Sequence, residues 1–456
     1  MNSLKQYIEL YLENRATVDE NSAAPLNKLR AEALEVLERA QLPDSSCEDF
    51  EHTSINDMFA PDYGVNISRV NIPVDVASSF KCGVPNMSTL LGITVNDSFR
   101  STSTLQGKLT DGALFMSLRA AAREKAELVE RYYGSVAPLS NASVALNTLL
   151  AQDGALIYVP RGVQLSKPLQ LVNIFSSPAP LAAFRRLLIV LEDDAAAQLL
   201  VCDHTQDSAT DYLSSQVVEV VAGRNSSLEI IDIEESSSRT SRYSQMFVRQ
   251  HDGSNVRING TTLYGGITRN DYHIDVSGAH CSTTLNGMAI CSASQHTDNH
   301  TRINHLSQHC HSTQMFKYVL DDDSKGVFSG SILVAPGASF TEAYQSNRNI
   351  LASTDARMHT KPQLEIYNDD VKCSHGATTG QLDAEALFYM RTRGITEHEA
   401  RTMLMQAFMT DVIDSVHIDG LSDRLRHLVE LRFKGGPDAL CGDCAASCRG
   451  ESVVKQ

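Results

Sequence analysis

From Asp153 onward the chain alternates. In GALIYVPRGVQLSKPLQLVNIF apolar and polar positions trade places, and Val and Ile are prominent. A period of two with β-branched residues predicts strands whose two faces see different surroundings. The texture continues through RRLLIVLEDD, SQVVEVVAG, SLEIIDIEE, NVRINGTTLYGG, TTLNGMAICSAS, TQMFKYVLDD and GVFSGSILVAPG, separated by turns rich in Asp, Ser, Gly and Asn. The pieces AAAQLLV, NSSLEII, GSNVRIN, CSTTLNG and HSTQMFK recur about every 28–30 residues, each opening on small or polar residues and turning apolar. A strand–turn unit that repeats without intervening helices predicts stacked β coils, each burying a face on the next. A large antiparallel sandwich satisfies the same alternation, and periodicity alone leaves both open.

Helical periods flank this region. Leu4, Tyr7, Ile8 and Tyr11 predict a first helix, and the segment Leu26 to Leu42 a second that Pro43 stops. A loose stretch over 44–110 follows, then a helix predicted from Asp111 to Tyr133 with Gly134 just past its end. Toward the C-terminus, Asp383 is a candidate N-cap and Gly394 a candidate stop. Thr396 and Glu399 stand at capping-box spacing. The next helix is predicted to carry Met403, Leu404, Ala407, Phe408 and Val412 on an apolar face, and SDRLRHLVELRF closes before Gly435. The expected fold class is therefore mainly β. Its parts are a helical or mixed region over 1–150, a β core over 151–382, helices over 383–436 and a cysteine-containing tail over 437–456.

Composition narrows the chemistry. A net charge of −16 over 456 residues argues against a nucleic-acid grip, which needs a basic face. The opening MNSLKQYIELYLENRATVDE carries charges where a signal peptide has its apolar core, and no apolar run approaches the roughly 20 residues that span a bilayer. The expectation is a cytoplasmic protein whose ten cysteines are thiols or metal ligands. The chain has no G-x-x-x-x-G-K-[ST], no G-x-G-x-x-G after a strand, no G-x-S-x-G and no H-E-x-x-H, so nucleotide chemistry and hydrolysis by those routes are not expected.

Four groups of residues remain. Asp369–Asp370 and Asp321–Asp323 could supply the carboxylate pair of a sugar-cleaving solenoid, but adjacent acids on a strand point to opposite faces and turn acids are usually solvated. His273, His280, His296, His300, His305, His309 and His311 cluster with Cys281, Cys291 and Cys310. They read either as transition-metal ligands or as polar residues on a solvated sheet face. Cys441, Cys444 and Cys448 form C-x2-C-x3-C, three donors that bind metal only if a fourth arrives. Cys373 and His375 stand two apart in DDVKCSHGATTG, on one face of a strand. They read as iron or cluster ligands, or as a buried thiol beside a hydrogen-bonded imidazole.

The segments YQSNRNIL (Tyr344–Leu351), TKPQLEIYNDDVKCSHGATTGQLDAEALFYMRTRGI (Thr360–Ile395) and HTDNHTRINH (His296–His305) resemble the SufD side of the SufB/SufD family of the SUF iron–sulfur assembly machinery. The resemblance is closest between Gly287 and Phe408 and looser before. His375-Gly376-Ala377 stands where SufB-type chains tend to carry His-Glu-Ala. CEDFEHTS places Glu51 where the family expects a basic residue, and Asn368 stands where Ala is more usual. The resemblance implies a right-handed parallel β-helix serving as a non-catalytic scaffold. It implies pairing with a SufB-like subunit through the cores, or a homodimer in isolation, and a SufC-like ATPase docked on the helices from Ala384 to Phe433. It implies a transient iron–sulfur cluster or iron at the SufB junction, with His375 as ligand and Cys373 as ligand or interface lining. It also associates the complex with reduced flavin, for which no motif stands in this chain.

Overall fold

The computed structural model describes residues 2–75, 89–102, 105, 109 and 111–435. Its centre is a parallel β-solenoid of two stacked sheets, with one strand of each coil in each sheet. The first sheet runs from Gly154–Val159 through Leu181–Leu191, Tyr212–Ala222, Thr240–Gln250, Ile267–Val276, His296–His305 and Lys325–Val334 to Arg357–Ile366. The second runs from Leu90–Val95 and Leu169–Phe175 through Ala196–Thr205, Ser227–Glu235, Asn255–Tyr264, Ser282–Cys291, His311–Leu320 and Thr341–Leu351 to Val371–Gly380. The sandwich alternative falls, because these strands pair in parallel.

The sequence rhythm is the coil repeat. Ala196, Ser227, Asn255, Ser282, His311, Glu342 and Lys372 are register partners from one coil to the next. Inward positions line up in columns. Leu169, Leu199, Ile230, Ile258 and Leu285 stack in one sheet, and Ile189, Val220, Val248, Ile274, Ile303 and Ile332 in the other. All are buried, and each contributes about 1.5–3 kcal/mol relative to exposure.

The two ends of the solenoid differ. At the first end the antiparallel strands Ser98–Ser101 and Leu114–Ser117 pair onto Leu90–Val95 and Gly154–Val159. At the other end, no strand among the described residues pairs beyond Arg357–Ile366 or Val371–Gly380.

Helices cover the outer faces. Leu4, Tyr7 and Tyr11 of Leu4–Glu20 join Leu146 and Leu149 of Ala142–Leu150 over Phe184 and Leu213 of the first sheet. Met405, Met409 and Val412 of Glu397–Asp414, with Leu425 and Leu428 of Leu421–Gly435, pack on Leu200, Ile231, Ile233, Met288 and Ile290 of the second. Lys317 is buried beneath them, and its Nζ donates to the Phe408 carbonyl at 2.7 Å and to Asp411 at 2.6 Å. The capping box at Thr396 and Glu399 is present, as is the Asp383 N-cap.

Several helical expectations are corrected. The helix read over Leu26–Leu42 is two short ones, Ala24–Asn27 and Arg30–Leu37. Just after the break, buried Arg30 is held by Asp19 at 2.9 Å and by the Ala151 carbonyl at 2.7 Å. The helix read over Asp111–Tyr133 begins as a strand, because Leu114–Ser117 finds a sheet edge to pair with; Leu118–Glu124 and Ala126–Tyr132 follow, broken at Lys125. Part of the loose stretch, Leu90–Val95, is a coil strand. Ala142–Leu150, capped by Asn141, was not foreseen. Met403 and Ala407 face solvent, since the turn of the helix that meets the sheet presents Met405 and Met409 instead.

Inside the solenoid, Asp203 sits between Arg185 at 3.1 Å and Arg242 at 2.8 Å, and Arg242 also reaches Asp232 at 2.7 Å and Glu234 at 3.0 Å. Burial opposes ionisation of Asp203, but the two guanidiniums outweigh it and bring its pKa to about 2. Burial pushes Glu234 up to about 8, against the pull of Arg242. Folded Glu234 therefore holds its proton more tightly than the unfolded chain does. Its contribution is fully present below the ordinary carboxyl pKa of 4.5 and is lost as pH rises through about 8. Glu234→Gln should flatten the fall of melting temperature over that window relative to the parent, measured by thermal unfolding against pH; parallel curves would contradict the assignment.

Candidate functional site

Cys373 and His375 lie in Val371–Gly380, the last strand of the second sheet. Both point to the inner face of the coil, about 6.6 Å apart along the strand. Cys373 is half-buried against the small cluster of Ile332, Val334, Ala338 and Ala343. That burial pushes its thiol pKa up, a backbone hydrogen bond with Ala343 working the other way. His375 is exposed, because no further coil covers it. Its register partner in the coil below is Gln345.

The turn that delivers this strand is tied by Asn368. Its Nδ2 donates to the Pro336 carbonyl at 2.6 Å and to Ser339 Oγ at 3.1 Å, and its Oδ1 accepts from the Asp370 amide at 3.0 Å. Asp369 and Asp370 lie in this turn, and Asp321–Asp323 in or beside the turn after His311–Leu320. Exposed Ile366 and Tyr367 rim the open end, with Tyr344 one coil below.

The histidines do not converge. His273, His296 and His300 point outward from the first sheet: His273 stacks on Phe247 with ring centroids 4.8 Å apart, His296 meets Thr53 Oγ1 at 2.7 Å, and His300 pairs with Asp298 at 3.0 Å. Burial lowers the pKa of both His273 and His296. His280 and His309 stack in adjacent turns at 4.9 Å, and His309 stacks on Phe340. His305 is inside, bonded to Ser312 at 2.8 Å, and burial lowers it to about 4. His311 sits on the second sheet near Glu342. Cys281 and Cys310 both donate to the Gly278 carbonyl at 3.2 Å, and Cys291 donates to Thr297 at 3.3 Å. Among the described residues no three His, Cys, Asp or Glu side chains are placed to hold a metal ion. Cys441, Cys444 and Cys448 fall outside the described residues.

The segment Cys47–Ser54 has a place that its sequence did not reveal: it straps the outer face of the first sheet. Arg269 lies over the Phe50 ring at 4.0 Å and donates to the Asp49 carbonyl at 2.8 Å. Thr53 donates to Asp298 at 2.5 Å, and His52 stacks on His359 at 3.8 Å. Glu51 is exposed. A cavity of about 220 Å³ lies beside the strap, lined by Arg269, His273, His300 and Ser331 among others; it includes neither Cys373 nor His375. The helix Ala384–Thr392 has no buried residue, with Phe388 69 % and Tyr389 58 % exposed. No described helix is long and apolar enough to cross a membrane.

The parallel β-solenoid is closed at one end by antiparallel strands and, among the described residues, open at the other, where Cys373 and His375 share one face of the last strand: a repeat-built framework with a free end. Comparison with known proteins agrees. Residues 174–408 match the family model for the SufBD core domain of the SUF system for FeS cluster assembly, and residues 1–171 match that for the SufBD N-terminal region. An iron–sulfur cluster assembly SufBD family protein of Synechocystis (slr0076) is 28% identical over 92% of this chain and 94% of its own length. The iron–sulfur cluster assembly protein SufD of Escherichia coli is 30% identical over 64% of this chain and 69% of its own. SufD of Bacillus subtilis is 28% identical over 71% and 74%. The chain belongs to the SufBD family of SUF iron–sulfur cluster assembly proteins. The likeness extends through the N-terminal region, further than the motifs near Cys373 reach.

Thiol exposure orders the reactivity of the described cysteines. Under neutral alkylation followed by peptide mass mapping, Cys47 should label first, Cys373 more slowly, and Cys202 and Cys291 only on unfolding. Equal rates for Cys373 and Cys291 would contradict the placement of Cys373 at the open end.

Proposed function

We propose that this chain is a SufD-like, non-catalytic scaffold subunit that completes its solenoid against a SufB-like partner and holds iron or a nascent cluster at the junction. The observation that carries this reading is the terminal coil. Two ten-residue strands, Arg357–Ile366 and Val371–Gly380, leave their outer edges unpaired among the described residues, and Cys373 and His375 lie in the second. Unpaired edges are templates for another chain's strands. One thiol and one imidazole cannot complete a four-donor cluster site, so the remaining donors come from the partner, as suits cargo that must leave. His375 is the ligand and Cys373 lines or completes the site.

ATP hydrolysis belongs to a SufC-like subunit docked on the C-terminal helices. The uncovered Ala384–Thr392 helix, with Phe388 and Tyr389, is the surface for it. The helices behind it are packed onto the second sheet, so a pull on them reaches the coils. ATP binding then shifts the pair of solenoids between two packings and opens or closes their junction.

Iron and acid-labile sulfide in the anaerobically purified three-component complex test the ligand role. His375→Ala should leave the complex intact by size exclusion while most of the iron is lost. Unchanged loading in an intact complex would remove the ligand and leave this chain as a frame for SufB.

A further inference from the structure

The inner column that ends at His375 changes character along its length. It runs Leu169, Leu199, Ile230, Ile258 and Leu285, and then Gln314, Gln345 and His375. Two glutamines in a column otherwise filled by aliphatic side chains are costly unless their amides are bonded. They are bonded in one direction. Thr301 Oγ1 donates to Gln314 Oε1 at 2.7 Å, and Gln345 Nε2 donates to the same oxygen at 3.4 Å. A Cβ on Gly330 would lie 2.2 Å from Gln345 Nε2, so only glycine there lets the amide take this position. With its nitrogen turned to Gln314, the Gln345 oxygen is left out of that bond, and Gln314 Nε2 is likewise without a partner. Gln345 is 3 % exposed and its Oε1 has no hydrogen-bond partner. A buried acceptor left unmade costs about 1–3 kcal/mol. The next side chain in that column, one strand spacing of about 4.8 Å away, is an imidazole.

We propose that Gln345 is a positioning residue for His375, its amide oxygen accepting the imidazole N–H and leaving the other ring nitrogen as the lone-pair donor at the junction. This rests on the reading of His375 as a ligand. The chemistry is that of metal-bound histidines generally, whose second nitrogen donates to a carbonyl that fixes tautomer and ring orientation. Gly330 and Gln314 set the amide, the amide sets the ring, and the ring presents one nitrogen outward.

Ring nitrogen NMR of the full chain carrying 15N-histidine tests it, at about pH 8 where free imidazole is neutral. His375→Gln identifies the resonance. The wild type should show one dominant tautomer. Gln345→Met, close in shape and without the acceptor, should give a mixture with the fold intact by circular dichroism, and Gln345→Glu should restore the single form. A wild-type mixture, or an unchanged tautomer in Gln345→Met, overturns the proposal; the wild-type spectrum decides even if the Met variant does not fold. In the three-component complex, Gln345→Met should weaken iron retention about ten-fold or more. If the tautomer responds but neither Gln345→Met nor His375→Ala changes iron content, the positioning contact stands and the ligand reading falls.

Discussion

A parallel sheet must end somewhere, and its last strand leaves a row of amides and carbonyls without partners. The rest of this molecule depends on how that constraint is met. At one end the chain turns back on itself and closes both sheets with antiparallel strands. At the other it stops after Arg357–Ile366 and Val371–Gly380 with both edges bare among the described residues. Edge strands in solitary proteins are short, bulged or covered. Ten-residue strands in register over their whole length are none of these, and the side chains that would be interior in any earlier coil are half-buried or exposed in the last. The chemistry of the site follows: Cys373 and His375 are core positions without a core above them.

The helical layers make this end useful. Both outer faces carry a covering layer over part of their length, the first sheet the N-terminal helices and the Cys47–Ser54 strap, the second Glu397–Asp414 and Leu421–Gly435. The buried ion network of Arg185, Asp203, Arg242 and Asp232 stiffens the middle of the coil, where an uncompensated charge would be severely penalised. The open edge and the Ala384–Thr392 helix beside it in sequence stay uncovered among the described residues.

Much of this was legible in the sequence, for physical reasons that also mark its limits. The coil repeat was visible because each coil begins its second-sheet strand with a small or polar residue at the same register, from Ala196 to His311. The Thr396 capping box was visible because caps are local. Leu114–Ser117 was hidden, since four residues form a strand there only because a distant edge awaits them. Ala142–Leu150 was hidden for the opposite reason: it is buried nearly all round, down to Asn147, whose amide bonds the Arg185 and Ser215 carbonyls, so it has no solvated polar face to mark it. The pairing of Cys373 with His375 on one face followed from the strand period. The scatter of the other histidines did not, because spacing along a solenoid does not say which of two sheets or two faces a residue will occupy. Nor could the strap be read, because Arg269 reaches it from far along the chain.

The central claim is that the bare terminal coil is where this chain is completed by another. Amide hydrogen exchange on the free chain and on its complex with a SufB-like partner tests that claim most directly. Arg357–Ile366 and Val371–Gly380 should exchange fast in the free chain and gain the largest protection in the complex. Protection gained on another face, with these two strands exchanging as before, would contradict it.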